Sequence, residues 1–253
     1  MISTLTDKKS IRTILVLLFW LIVWQLAALA IGQEYFLVSP IEVIRTLFYQ
    51  VQEAAFWSTA AYSFVRIVSG FFFAIIIGVL LAVISAMSST ARTLLEPFFS
   101  VMKSIPVVSF IILVLIWVGN RNLSVVISFL MVMPIIYTNV LQGILETDKK
   151  LLEMAKVFRM SYRKKLYSIY VPEVLPFFSA GCKLGLGLCW KSGIAAEIIG
   201  LPTGSIGEQL YQAKIFLSTG ELFSWTFVII LISYLFERLF FLLLRYVERC
   251  LKG

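Results

Sequence analysis

A chain of 253 residues that is 60% hydrophobic and only 14% charged lies far from the composition of a soluble domain, where about a quarter of the residues carry charge. It belongs in a bilayer. Histidine is absent, which removes the usual neutral-pH acid/base group and the commonest metal ligand, so most enzyme classes are excluded at once; the net charge of +8 has to be read from where the basic residues fall.

The N-terminal stretch carries a basic flank and an apolar run from Ile14 to Ile31. A signal peptide shows the same flank, but the run is long enough to span at about 20 residues per crossing and no small-x-small cleavage site follows it, so it reads as a membrane anchor. Hydrophobicity then gives six spans, at 12–31, 60–87, 105–119, 123–144, 175–200 and 222–244. With the N-terminus inside, the cytoplasmic segments hold Lys8, Lys9, Arg12, Arg92, Lys103, the lysines and arginines from Lys149 to Lys165, Arg245, Arg249 and Lys252, against Arg45, Arg121 and Lys214 on the other side. That asymmetry places both termini in the cytoplasm. It makes the positive charge a topology signal and not a nucleic-acid signal.

After the first span, SPIEVIRTLFYQV offers Ser39 as N-cap, Pro40 at the first helical position and Glu42 to complete a capping box. Ile41, Ile44, Phe48 and Val51 fall on one helical face, and the expectation is a peripheral helix that packs on the bundle or lies on the outer membrane surface. In the second span Arg66 sits near the outer end, where its stem can reach the headgroups. Gly70 and Gly78 permit close approach of a neighbouring helix. The stretch TARTLLEPFFSVMKSIPVVS is amphipathic with two prolines, so the chain is expected to bend there. No repeat or linker interrupts the sequence, and it reads as a single transmembrane domain over 1–253.

The segment LLEMAKVFRMSYRKKLYSIYVPEVLP, residues 151–176, is unusual in so apolar a chain. Leu151, Leu152, Ala155 and Phe158 share one face of a first short helix; Leu166, Ile169 and Tyr170 share one face of a second, with charges opposite. Ser161 is the N-cap of the second helix, and Pro172 and Pro176 end it and begin the fifth span. Such a segment can lie on anionic lipid or dock a soluble partner. A helix-turn-helix DNA reader is disfavoured, because helices fixed beside a bilayer have no reach into a major groove.

Glu153, Ala155, Ile169, Val171 and Pro172 match, at the same spacing, the E-A-A, three residues, G, nine residues, I-x-L-P pattern of the cytoplasmic loop in membrane subunits of bacterial ATP-binding cassette importers. Met154 and Val171 are conservative departures. Arg159 stands in the glycine position, and if that glycine supplies a left-handed turn, arginine costs on the order of 1 kcal/mol there, leaving room for a different turn. SPIEVIRTLF, KSIPVVSFIILVLIWVG and AGCKLGLGLCWKSGIAAEIIG resemble the permease branch that serves nitrate, sulfonate, taurine, bicarbonate and thiamine-precursor uptake. The resemblance spans nearly the whole chain. It implies an all-α integral membrane protein of the type I importer permease fold, in the bacterial inner membrane. Its implied partners are a second permease copy, two ATPase subunits and an extracytoplasmic binding protein, with membrane lipid around them. It implies that the loop at 146–174 couples to the ATPase through Glu153, Met154, Ala155, Phe158, Arg159, Ile169 and Pro172. ATP and Mg²⁺ would belong to the partner, since no G-x-x-x-x-G-K-[ST] loop is present, and no cofactor is expected in this chain.

Charges inside spans point to function. Lys183 is near the inner end of the fifth span, while Lys191 and Glu197 sit deeper and, six residues apart, face different neighbours. Two readings stand for Lys191: it faces the translocation path or dimer seam and attracts an anionic group, or it belongs to an ion pair that fixes packing. Glu197 is assigned with it to the path, although a structural role is the simpler reading. Gly185, Gly187, Ser192, Gly193, Ala195 and Ala196 allow close packing or a cavity lining. Asn139 and Gln142 have enough polarity to line the path, or they bond between helices. GLPTGSIGEQLYQAKIF reads as an extracellular or re-entrant loop, and Glu237 and Arg238 face different neighbours in the sixth span. Cys182, Cys189 and Cys250 are odd in number and lack a C-x-x-C spacing, so they read as free, buried thiols. The alternative to an ATP-driven importer is an ion-coupled secondary transporter, which would show broken helices in two repeated halves and intramembrane carboxylates; only Glu197 qualifies.

Overall fold

Ser39, Ser88, Asp148 and Ser161 each turn a side-chain oxygen back to accept a hydrogen bond from a backbone N–H two or three residues on, at 2.8–3.4 Å. Each of these caps starts a helix, because the first turn of a helix has N–H groups without intrahelical partners. The computed structural model describes residues 3–33 and 35–252, with side chains over 12–33 and 35–249. The side chains of Lys8, Lys9, Cys250 and Lys252 lie outside the described residues. The elements are α1 (Ser3–Ile31), α2 (Pro40–Val51), α3 (Ala54–Met87), α4 (Ser89–Ser104), α5 (Val107–Val118), α6 (Leu123–Leu145), α7 (Lys149–Val157), α8 (Tyr162–Lys165), a π-helical turn (Leu166–Tyr170), α9 (Val171–Gly200), α10 (Ile206–Ile215) and α11 (Thr219–Lys252). Among the described residues there is no strand.

Among the described residues four helices are long and apolar enough to cross a membrane: α1 over Arg12–Ile31, α3, α6, and α11 over Thr219–Arg249. They coincide with four of the six expected spans. The stretch 105–119 differs. Its helix α5 has 12 residues, about 18 Å at 1.5 Å per residue, against a hydrocarbon core of about 30 Å, and it meets α4 at a bend of 110°. The bend falls where Ile105 is held extended before Pro106, as the residue preceding a proline must be. Pro97, the other proline of this stretch, sits inside α4. Helix α9 runs for 30 residues, so its length suffices, but Lys183, Lys191, Glu197 and its glycines dilute its apolar character.

The chain divides into two compact units, Met1–Thr59 with Gln209–Val228, and Ala60–Glu208 with Ile229–Gly253. In the first, the Trp24 indole N–H donates to the Val38 carbonyl at 3.0 Å, the Ser224 hydroxyl donates to Gln50 Oε1 at 2.6 Å, and Phe56 stacks on Trp225. Helix α2 presents the buried Val43 to this packing, whereas Ile41, Ile44 and Phe48 remain 66–68% exposed. Of the two expected placements, packing on the bundle is met by the face beside the stripe, and the stripe itself is left open as a helix lying on a membrane surface would leave it.

In the second unit α6 and α9 form the central pair. A Cβ on Gly185 would stand 2.9 Å from Val132 Cγ1, and one on Gly193 2.7 Å from Ser128 Oγ, so the two helices meet at distances that only glycine permits. Gly70 of α3 is equally closed, with Ser128 Cβ 2.8 Å from where its own Cβ would be. Gly187, by contrast, has open space beside it. Cys182 and Cys189 are free and buried, and the Cys189 thiol donates to the Ile67 carbonyl at 3.4 Å.

Candidate functional site

The basic segment folds as two short helices joined by a tight turn. Helix α7 ends in a Schellman arrangement: the Met160 N–H donates to Ala155 O at 2.9 Å and the Arg159 N–H to Lys156 O at 3.1 Å, the paired bonds that satisfy the last carbonyls of a helix. Arg159 takes φ +48°. The left-handed turn is thus retained with arginine in the glycine position, so no different turn is needed.

The face of α7 divides differently from its sequence pattern. Ala155 is buried and Leu151 and Leu152 half-buried, but Phe158 is the C-cap, where the helical phase has ended, and its side chain is 73% exposed. Glu153, Met154, Val157 and Arg159 are exposed with it. Val157, at 79%, was not singled out by spacing; it is the last residue of α7, next to the C-cap Phe158. Ile169 is buried and Pro172 half-buried, so these two support the loop from beneath.

Pro172 and Pro176 do not end the second helix. The chain passes from α8 through the π turn directly into α9, and the Val171 N–H donates to Leu166 O across the widened turn. Pro172 lacks an N–H and its ring crowds the carbonyl four residues back; the extra residue in the preceding turn takes up that misfit.

Lys191 and Glu197, close on one helix, meet opposite surroundings. Lys191 is exposed and lines a groove of about 430 Å³ with Gly187, Trp190, Ser233 and Glu237. Among the described residues it makes no ion pair, and Glu237 is the carboxylate that shares its groove. Glu197 is fully buried. Its Oε2 accepts from the Ser63 hydroxyl at 2.7 Å and from the Gly207 N–H at 3.3 Å, while Ser63 Oγ accepts from the Ile206 N–H at 2.9 Å. The carboxyl group therefore ties the end of α9 to α3 and to the first amides of α10. Nothing in the local sequence marks Ser63, which lies 134 positions away.

Asn139 donates to its own helix at Ile135 O, 2.8 Å, and fits against Gly181. Gln142 donates to Glu146 Oε1 at 2.9 Å and lines a cavity of about 500 Å³ between α4 and α6, with Arg92, Glu96, Lys103 and Glu146 around it. Arg66 donates to Asn122 Oδ1, at the start of α6, at 2.9 Å and lies over the Tyr62 ring. Arg238 bonds to Tyr234 OH, while Glu237 turns to the Lys191 groove.

The family model for binding-protein-dependent transport system inner membrane components matches residues 74–253. The chain belongs to that family. Among its relatives is the taurine transport system permease protein TauC of Escherichia coli K12, 27% identical over 235 residues that cover 90% of this chain and 84% of TauC. A second is the putative aliphatic sulfonates transport permease protein SsuC of Bacillus subtilis 168, 23% identical over 80% of this chain and 74% of SsuC. A solved amino acid ABC transporter, crystallised with histidines, shares the fold with a TM-score of 0.57 at 18% identity, over 77% of this chain and 93% of that one. This family member is thus an inner-membrane permease component whose relatives are transport permeases rather than enzymes.

Proposed function

We propose that this chain is the membrane subunit of an ATP-driven importer. It works as one permease domain of six spans, α9 supplying the fifth and the bent α4 and α5 the third. Both termini lie in the cytoplasm, a second copy completes the pathway, two ATP-binding cassette subunits dock at residues 146–174, and an extracytoplasmic binding protein delivers the solute. The solute is a small organic or inorganic anion, or a thiamine precursor. ATP and Mg²⁺ are bound by the partner.

The observation that carries this reading is the α7–α8 loop, an isolated helix pair with Met154, Val157 and Phe158 exposed inside a rim of Glu153, Lys156 and Arg159. Apolar knobs in a charged rim suit a protein groove. Ala155, Ile169 and Pro172 hold the knobs in place from within. Closure of the ATPases on ATP moves the two loops together, and the continuous α8–π–α9 path hands that motion to the spans; release of products reverses it. Lys191 and Gln142 supply polar positions on the path, Asn139 braces α6, and Glu197 fixes the loop that leads to α10.

Co-purification tests the docking. The native chain, tagged and extracted in mild detergent, is expected to carry an ATPase subunit, and a variant with Glu153→Arg and Phe158→Ala to lose it at unchanged yield of the permease itself. No ATPase with either chain would favour an ion-driven carrier. Lys191→Met is expected to abolish uptake while the complex still assembles; uptake at the native rate would remove Lys191 from the path.

A further inference from the structure

A groove of about 710 Å³ runs between the C-terminal half of α3, the end of α6, α8, the π turn and the start of α9. Its walls are apolar, with Ile76, Leu80 and Val83 on one side and Val174 and Phe178 on the other. Among the described residues the one charged side chain in the lining is Lys165, accompanied by Tyr162 and Tyr170, and no carboxylate lines it. Lys165 Nζ lies 5.5 Å from the centre of the Tyr170 ring, and Arg163 and Lys164 are exposed beside it on α8. This cationic end falls where α6 finishes and α9 begins.

We propose that this groove holds one anionic glycerophospholipid, its phosphate at Lys165 and an acyl chain laid along α3. Two features select that occupant. The shape is amphiphilic, an apolar slot closed at one end by a cation and two phenols, which complements a negative headgroup on a hydrocarbon tail. The length fits as well: from Ile75 to Met87 the groove follows α3 for about 18 Å, close to the roughly 15 Å of one leaflet's hydrocarbon and too short for a helix that crosses both. Leu166 and Tyr170 of the π turn form part of the wall, so the lipid touches the link between α8 and α9. Assignment to the cytoplasmic leaflet rests on the orientation proposed above; capture of the lipid does not.

The test is native mass spectrometry of the delipidated permease titrated with dioleoyl phosphatidylglycerol or dioleoyl phosphatidylcholine. The native chain is expected to retain one phosphatidylglycerol in preference to phosphatidylcholine. Leu80→Trp with Val83→Trp, both on the open side of the groove, should lose both lipids, while Leu184→Trp, an exposed position outside it, should retain them. Lys165→Gln should lower retention of phosphatidylglycerol about five-fold and leave phosphatidylcholine unchanged, the effect of removing one cation at an anionic surface; this variant decides the matter if the double tryptophan chain does not fold. Equal retention of the two lipids by the native chain, undiminished phosphatidylglycerol in the folded double tryptophan variant, or a lipid-free dimer with the groove sealed by its second copy would each overturn the proposal. Because lipid capture is read on the permease alone, its failure is separate from loss of the ATPase in the co-purification above.

Discussion

The α7–α8 loop and the Glu197 latch hold their shape by different means. The loop is built from bonds that span two to five residues, from Asp148 to Lys150, from Ala155 to Met160 and from Ser161 to Lys164, and its outer side chains touch little. The latch joins residues 134 and 143 positions apart, with Ser63 donating to Glu197 and accepting from Ile206 inside a sealed interior. Short-range bonds keep a segment's own form while leaving it free to be grasped by something else. Long-range bonds between buried groups fix one element against another, and losing a partner leaves a polar group stranded without water.

The contrast is broken most severely at the latch. Glu197→Ala deprives the Ser63 hydroxyl and the Gly207 N–H of their acceptor, and is expected to cost about 3 kcal/mol, the scale of leaving buried donors unsatisfied. Thermal unfolding in detergent reads this, with Glu197→Gln recovering part of the loss; an unchanged melting temperature would mean that α10 is anchored in some other way. Gly207→Ala is expected to cost about 2 kcal/mol, as overpacking does, since the added Cβ would lie 2.6 Å from the backbone nitrogen of Ile198, which cannot move aside. In the loop the effects shrink and one changes sign. Arg159→Gly should stabilise by about 1 kcal/mol, because glycine adopts φ +48° without the Cβ penalty; a loss of stability would show that the arginine side chain makes a compensating contact. Phe158→Ala should shift stability by under about 0.5 kcal/mol, as exposed substitutions do, and yet weaken ATPase retention. A large stability loss there would mean the ring is a core residue.

Cap chemistry made the short helices readable: Ser39 before α2, and Ser161 and the register around residue 159 in the loop, act on their own neighbours, so spacing alone located them. The same locality made Pro172 misleading, since a π turn accommodates it and only the backbone shows that. Phe158 fell on the expected face by arithmetic and left it because the helix stops one residue earlier. The α2 stripe was legible only in part: periodicity shows that Ile41, Ile44 and Phe48 share a face, but which face the rest of the chain covers depends on what stands beside it.

Sequence by itself determined that this chain is a helical membrane protein with a capped basic loop, because hydropathy, capping and proline geometry depend on residues within a few positions of one another. Tertiary structure alone decided that α5 is too short and too sharply bent to cross as a straight span, that Lys191 stands open in a groove while Glu197 is sealed, and that Gly193 packs whereas Gly187 does not. Burial is a property of what the other helices leave uncovered, and partners more than a hundred residues away leave no trace in the local pattern.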